Sequence, residues 1–168
     1  GVPFILNVGP PTIAMSTPAN YTYHNSNVFI SGTSTDANGV KIVEISYNNG
    51  TSWTTIADHT AGPVSPAPWN TTYTVTGSND GTVSYIIRAF DAYDSTGIEN
   101  GLFTVDATVP GATIILPANG STVNGSITYS GTASDNIQVS QVYVAQGTSA
   151  NVDPVGNDPS TDPLYSLL

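Results

Sequence analysis

One segment of this chain recurs without a gap, and that recurrence limits the fold more than any other feature. The run SGTSTDANGVKIVEISY starting at Ser31 returns as SGTASDNIQVSQVYVAQ starting at Ser130. Gly32 aligns with Gly131, Asp36 with Asp135, Val40 with Val139, Val43 with Val142 and Ile45 with Val144. The tripeptide PAN at Pro18 returns at Pro117 in the same register. The offset from Ser31 to Ser130, 99 residues, has the length of one domain. Solenoids and propellers repeat every ~20–50 residues, so the chain reads as units of domain size in series and those folds are excluded.

Within a unit, helical periodicity is absent, and short alternating runs are separated by Gly, Asn, Asp and Pro turns, the pattern of an all-β sandwich. Composition agrees. Only 8% of residues are charged, against roughly 25% in ordinary soluble domains. The polar surface must then come from Ser, Thr, Asn and Gly, which are poor helix formers. Strands are predicted at Thr12–Ser16, Asn27–Thr33, Val40–Asn48, Ser52–Ala57, Thr71–Thr76, Thr82–Asp91 and Gly101–Asp106. About seven strands in some 95 residues is the size and count of an immunoglobulin-like domain. The expected core is Val28, Ile30, Val43, Ile45, Tyr73, Val75, Tyr85, Ile87 and Ala89.

Three motifs, D-x-T-x-P at Asp106–Pro110, L-P-A-N-G at Leu116–Gly120 and G-T-A-S-D-N at Gly131–Asn136, stand in one order. Together with SYIIRAFDAYDSTG at Ser84 they resemble tandem bacterial or archaeal immunoglobulin-like domains, related in shape to fibronectin type III. The resemblance implies an all-β chain of tandem immunoglobulin-like β-sandwiches, the second incomplete. It implies little about function, because such modules serve adhesins, surface layers and enzyme spacers alike. Residues 10–107 read as a complete sandwich, and residues 108–168 as the first half of a second repeat. The second repeat has no counterpart of Ser84–Asp106. Because PFILNVGPPTI resembles LFTVDATVPGATI, residues 1–9 read as the end strand of a preceding repeat or as a donor strand. Two readings of the ends stay open. The chain is a window of a longer array, or copies complete one another by strand complementation, with Phe4, Leu6 and Val8 on the donated face. An open sandwich edge is an aggregation hazard and needs cover.

A net charge of −10, with Lys41 and Arg88 the only basic side chains besides two histidines, argues against nucleic acid and anionic membrane as partners. No apolar run is long enough to span a bilayer. The matching counter-species for oxygen ligands outside cells is Ca²⁺. If successive sandwiches stack, Asp80 and Asp106 of one unit are expected to converge on Asp135 and Asn136 of the next. The opposite pole of the first unit groups Asp36, Asp91 and Asp94. The alternative is that these residues only form turns through their own backbone and that the acidity keeps the protein soluble. There is no cysteine, so disulfide and thiolate chemistry are closed. Sequons at Asn20, Asn49, Asn70, Asn119 and Asn124 suit glycans on an exported protein.

Catalytic chemistry finds little support. His24 and His59 are expected in exposed loops with no nucleophile elbow near either, and a sandwich filled by its own side chains has no cleft for a carboxylate pair. The run SYNNGTSW ending at Trp53 resembles an Asp-box hairpin, with Asn48 where that motif has Asp, and predicts a turn at Asn49–Gly50. Trp69, after GPVSPAP, reads either as buried at a sheet edge or as an exposed contact for sugar rings. Lys41, on the face of Val43 and Ile45, is a weak candidate for an intramolecular Lys–Asn bond. The function expected is a non-catalytic, extracellular or cell-surface structural or adhesive module. The alternative is a carbohydrate-binding or spacer module of a larger secreted enzyme.

Overall fold

The structure, a computed structural model, describes residues 9–77, 79–146 and 165–167, the last three by their backbone. It divides into two compact units, Gly1–Ala107 and Thr108–Leu168.

In the first unit, β1 (Thr12–Thr17), β3 (Val28–Thr35) and β6 (Ala67–Tyr73) form an antiparallel sheet in the order β1-β3-β6. A second sheet has the order β2-β8-β7-β4-β5, from β2 (Tyr23–His24), β4 (Val40–Ser46), β5 (Thr54–Asp58), β7 (Gly81–Asp91) and β8 (Thr96–Val105). All its pairs are antiparallel except β2 with β8.

Side chains alternate along a strand, and here alternate residues are buried. Val28 and Ile30 of β3, Ala67 and Trp69 of β6, Val40, Val43 and Ile45 of β4, Tyr85, Ile87 and Ala89 of β7, and Phe103 and Val105 of β8 make one core. Of the expected core, Tyr73 and Val75 pack against this cluster half-buried.

Three expectations are corrected. The strand placed at Thr71–Thr76 begins earlier, at Ala67. It is an edge strand, where Pro68 is tolerated because its missing N–H breaks no inner ladder. The last strand starts at Thr96, because β8 pairs with β7 from Thr96↔Phe90 to Val105↔Gly81. His24, expected in an exposed loop, lies on the short β2, half-buried and edge-on to Phe103 at 5.6 Å.

The second unit contains β9 (Gly111–Leu116) paired with β10 (Ser130–Ser134), and β11 (Tyr143–Ala145) paired with β12 (Tyr165–Leu167). Its first sheet repeats the first unit's register residue for residue. Thr12↔Thr35 becomes Gly111↔Ser134, Met15↔Gly32 becomes Ile114↔Gly131, and Thr17↔Ser31 becomes Leu116↔Ser130. Even the irregularity recurs, skipping Ser16 in one unit and Ile115 in the other. Burial differs. In β1, exposed and half-buried residues alternate, whereas all six residues of β9 are exposed and none of residues 108–146 is buried. The donor-strand residues Phe4, Leu6 and Val8 lie outside the described residues.

Candidate functional site

The aspartates proposed as cation ligands each do local work in their own unit. Asp36 Oδ1 accepts from Asn38 N at 2.7 Å, and Asp135 Oδ1, at the equivalent repeat position, accepts from Ile137 N at 2.8 Å. Both are side chain-to-backbone turns of the kind Asp favours. Asp91 is fully buried, and its Oδ1 accepts from Tyr93 N and Ser95 N, each at 2.8 Å, closing the β7–β8 turn. Asp94 pairs with Lys41 at the surface. Asp80 Oδ1 accepts from Ala107 N at 2.8 Å, and Asp106 N donates to His24 O at 2.9 Å. Asn136 is exposed beside Asp135. Among the described residues, no three His, Cys, Asp or Glu side chains gather as a metal-binding group.

The basic residues are committed as well. The β4–β7 register shifts between Val40 and Ile42, which takes Lys41 off the simple Val43–Ile45 alternation, and its Nζ meets Asp94. Arg88 Nε donates to Glu44 Oε2 at 2.6 Å, and its guanidinium lies 3.9 Å from the Trp53 ring centroid. Trp53 closes the hairpin that its motif predicts. Asn49 and Gly50 have φ of 55° and 80°, the left-handed pair of a tight hairpin turn. Asn48 Oδ1 accepts from Ser46 Oγ and Ser52 N, both at 2.9 Å, while Ser46 Oγ accepts from Gly50 N at 3.0 Å.

Trp69 is not a sugar contact. It is 2% exposed, and its Nε1 donates to Ser34 Oγ at 3.0 Å inside the core. Proline in the preceding loop does not keep it outside, because the period-two alternation of β6 turns Ala67 and Trp69 inward together. His24 Nε2 is 2.8 Å from Thr22 Oγ1, and His59, half-buried, donates its backbone N–H to Lys41 O. All five sequon asparagines are exposed. Asn70 lies on the edge strand β6, and the others lie in loops.

What sequence reasoning missed is a groove of about 610 Å³ across β8, β7 and the β4–β5 hairpin of the first unit. Tyr21, Tyr47, Tyr85, Asn20, Asn48 and Asn100 contribute to its wall, and no lining residue is ionised at neutral pH. Burial, then the neighbouring Tyr85 and Tyr73, push the Tyr47 phenol up to about 12. Burial, then Glu99, raises Tyr85. The segments meet only through strand register, and the one local signal is Gly101, directly opposite Tyr85. A Cβ on Gly101 would stand 2.2 Å from Tyr85 Cζ.

Fold and site together define an all-β chain with a filled sandwich followed by a smaller, open β unit. Residues 110–167 match the family described as Bacterial Ig domain. No curated protein matches the chain. Bacterial Ig domains are commonly carried by surface or secreted proteins and are usually non-catalytic. The first unit shares with the matched segment the register of one strand pair, β1–β3 in the one and β9–β10 in the other.

Proposed function

We propose that this chain is a non-catalytic structural or adhesive module held outside the cell, one stretch of a stalk, array or filament built from immunoglobulin-like units in series. The observation that carries the reading is the register repeat, in which β1–β3 and β9–β10 pair through equivalent residues. Units of shared strand register in tandem give reach and spacing rather than chemistry. The charge-poor, Ser/Thr/Asn-rich surface and the commitment of both Lys41 and Arg88 to internal pairs agree with a role in which the module itself is the product. The test is whole-cell labelling of the producing organism with an antibody raised against residues 9–107. Labelling and protease shaving of intact cells, or recovery of the antigen from the medium, are the expected results. Signal that appears only after lysis would overturn the reading.

A further inference from the structure

We propose that the groove across β8, β7 and the β4–β5 hairpin binds a neutral carbohydrate chain, whichever structural role the module plays. Sugars present apolar C–H faces and hydroxyl edges that both donate and accept. Tyrosine offers a ring with a polar tip, and asparagine offers two donors and an acceptor. The wall combines these types. Tyr21 is largely and Tyr47 partly exposed, and Asn20 and Asn100 are exposed beside them. At about 610 Å³ the groove falls in the usual range of small-molecule sites, ~300–1,000 Å³.

Three further observations single this groove out. Tyr21 is 76% exposed, yet its backbone sits at φ 65°, a left-handed conformation that a bulky residue seldom adopts. The fold holds it there. Tyr21 N donates to Leu102 O at 3.2 Å, Asn20 Oδ1 accepts from Leu102 N at 3.1 Å, and Thr104 N donates to Thr22 O at 2.9 Å. Flanking hydrogen bonds thus hold the Tyr21 backbone in a strained conformation that carries its side chain at the solvent face of the wall. Second, Gly101, opposite Tyr85, lacks the Cβ that would stand 2.2 Å from Tyr85 Cζ, so the floor of the groove is bare backbone over the Tyr85 ring. Third, Asn48 is locked by its own hairpin through Ser46 and Ser52, so that side of the wall is rigid.

The chemistry also selects among ligands. With no cation on the wall and a net charge of −10, an acidic sugar or a phosphate would be repelled. A peptide added as a strand needs a sheet edge, and beside this groove the outer edge of β8 at Leu102 is already taken by Tyr21 N and Asn20 Oδ1.

The full chain, made in a host without N-glycosylation, should be run by affinity electrophoresis through gels holding neutral polysaccharides: mannan, xylan, mixed-linkage β-glucan, hydroxyethyl cellulose and soluble starch. At least one should retard it. Tyr21→Asn, which keeps a residue tolerant of positive φ, should weaken that retardation at least tenfold without lowering the melting temperature. Asn100→Ala should weaken it less, and Thr55→Ala, away from the groove, not at all. Equal mobility in every neutral gel, retardation unchanged by Tyr21→Asn, or stronger retardation by an acidic polysaccharide such as alginate would each overturn the proposal.

Discussion

Gly32 lies so close under the Trp69 indole that a Cβ on Gly32 would stand 2.3 Å from Trp69 Cζ2. The two are cross-strand partners in β3 and β6, and Ala14 O closes the other side at 2.4 Å. Neither a ring inside a filled core nor a carbonyl in a ladder can retreat cheaply. Gly32→Ala should therefore destabilise the first unit by about 1–3 kcal/mol or more, as overpacking does. Urea unfolding followed by tryptophan fluorescence reads this directly, and a midpoint within error of the parent would contradict the packing described.

The same tryptophan supplies a second prediction. Trp69 Nε1 and Ser34 Oγ satisfy each other in the core, where Ser34 is fully buried. Ser34→Ala leaves a buried indole N–H without its partner, at a cost of about 1–3 kcal/mol. Trp69→Phe costs more, because it strands the serine hydroxyl and opens a cavity. In a double-mutant cycle the two changes should be clearly non-additive. Additive losses would mean that the bond contributes nothing.

Which parts of this molecule can be read from sequence follows from which are set locally. Val28, Ile30, Val43, Ile45, Tyr85, Ile87 and Ala89 were legible as core because strict alternation on an inner face leaves no other reading. Trp69 was ambiguous because the proline-rich approach resembles a loop, and its burial depends on β6 pairing with β3. Phe103 and Val105 were missed as core, although their strand was expected, because the length and register of β8 come from β7. The turn aspartates were legible as turn formers or as ligands, and in the fold Asp36, Asp91 and Asp135 accept from Asn38 N, Tyr93 N, Ser95 N and Ile137 N. The tyrosine–asparagine groove was not legible at all. Its residues come from four separated segments whose meeting is a tertiary fact.

Tyr47 makes the alkaline limit of stability predictable in sign. Its folded-state pKa, about 12, lies above the ordinary 10.0 because burial disfavours the phenolate, and Tyr85 moves the same way. The folded state thus holds the proton more tightly than the unfolded chain. The stabilisation is complete below pH 10 and is lost as pH rises from about 10 through 12. Absorbance at about 295 nm should show a tyrosinate fraction titrating above the ordinary range, with melting temperature falling over that interval. Uniform titration near pH 10 in the folded protein would contradict this.

Arg88 is held between Glu44 and the Trp53 ring, with both charged partners less than a third exposed. Lysine cannot reproduce the planar stacking together with a directed N–H. Arg88→Lys should cost about 1 kcal/mol, the sum of a modest cation–π contact and a partly shielded pair. Part of that loss should persist in high salt, because stacking is less screened than the ion pair. Denaturant midpoints of both proteins at low and high sodium chloride separate the two parts. A loss that vanishes entirely in salt would remove the stacking contribution.

Ile114 occupies the repeat position of Met15, yet Met15 packs on the first unit's core while Ile114 is 72% exposed. Within the second unit, Ile114, Tyr129, Val142 and Val144 line an apolar groove of about 680 Å³. Apolar surface of this kind contributes roughly 25 cal/mol per Å² when something covers it, and until then it is available to an apolar dye. The full chain should therefore enhance the fluorescence of anilinonaphthalene sulfonate while fully folded by near-ultraviolet circular dichroism. Ile114→Ser should reduce that enhancement and leave the first unit's melting temperature unchanged, because among the described residues that core and the side chains packed on it run no further than Ala107. Equal dye binding by both proteins would mean that this face is covered in solution, and the oligomeric state would then identify whether a second copy covers it.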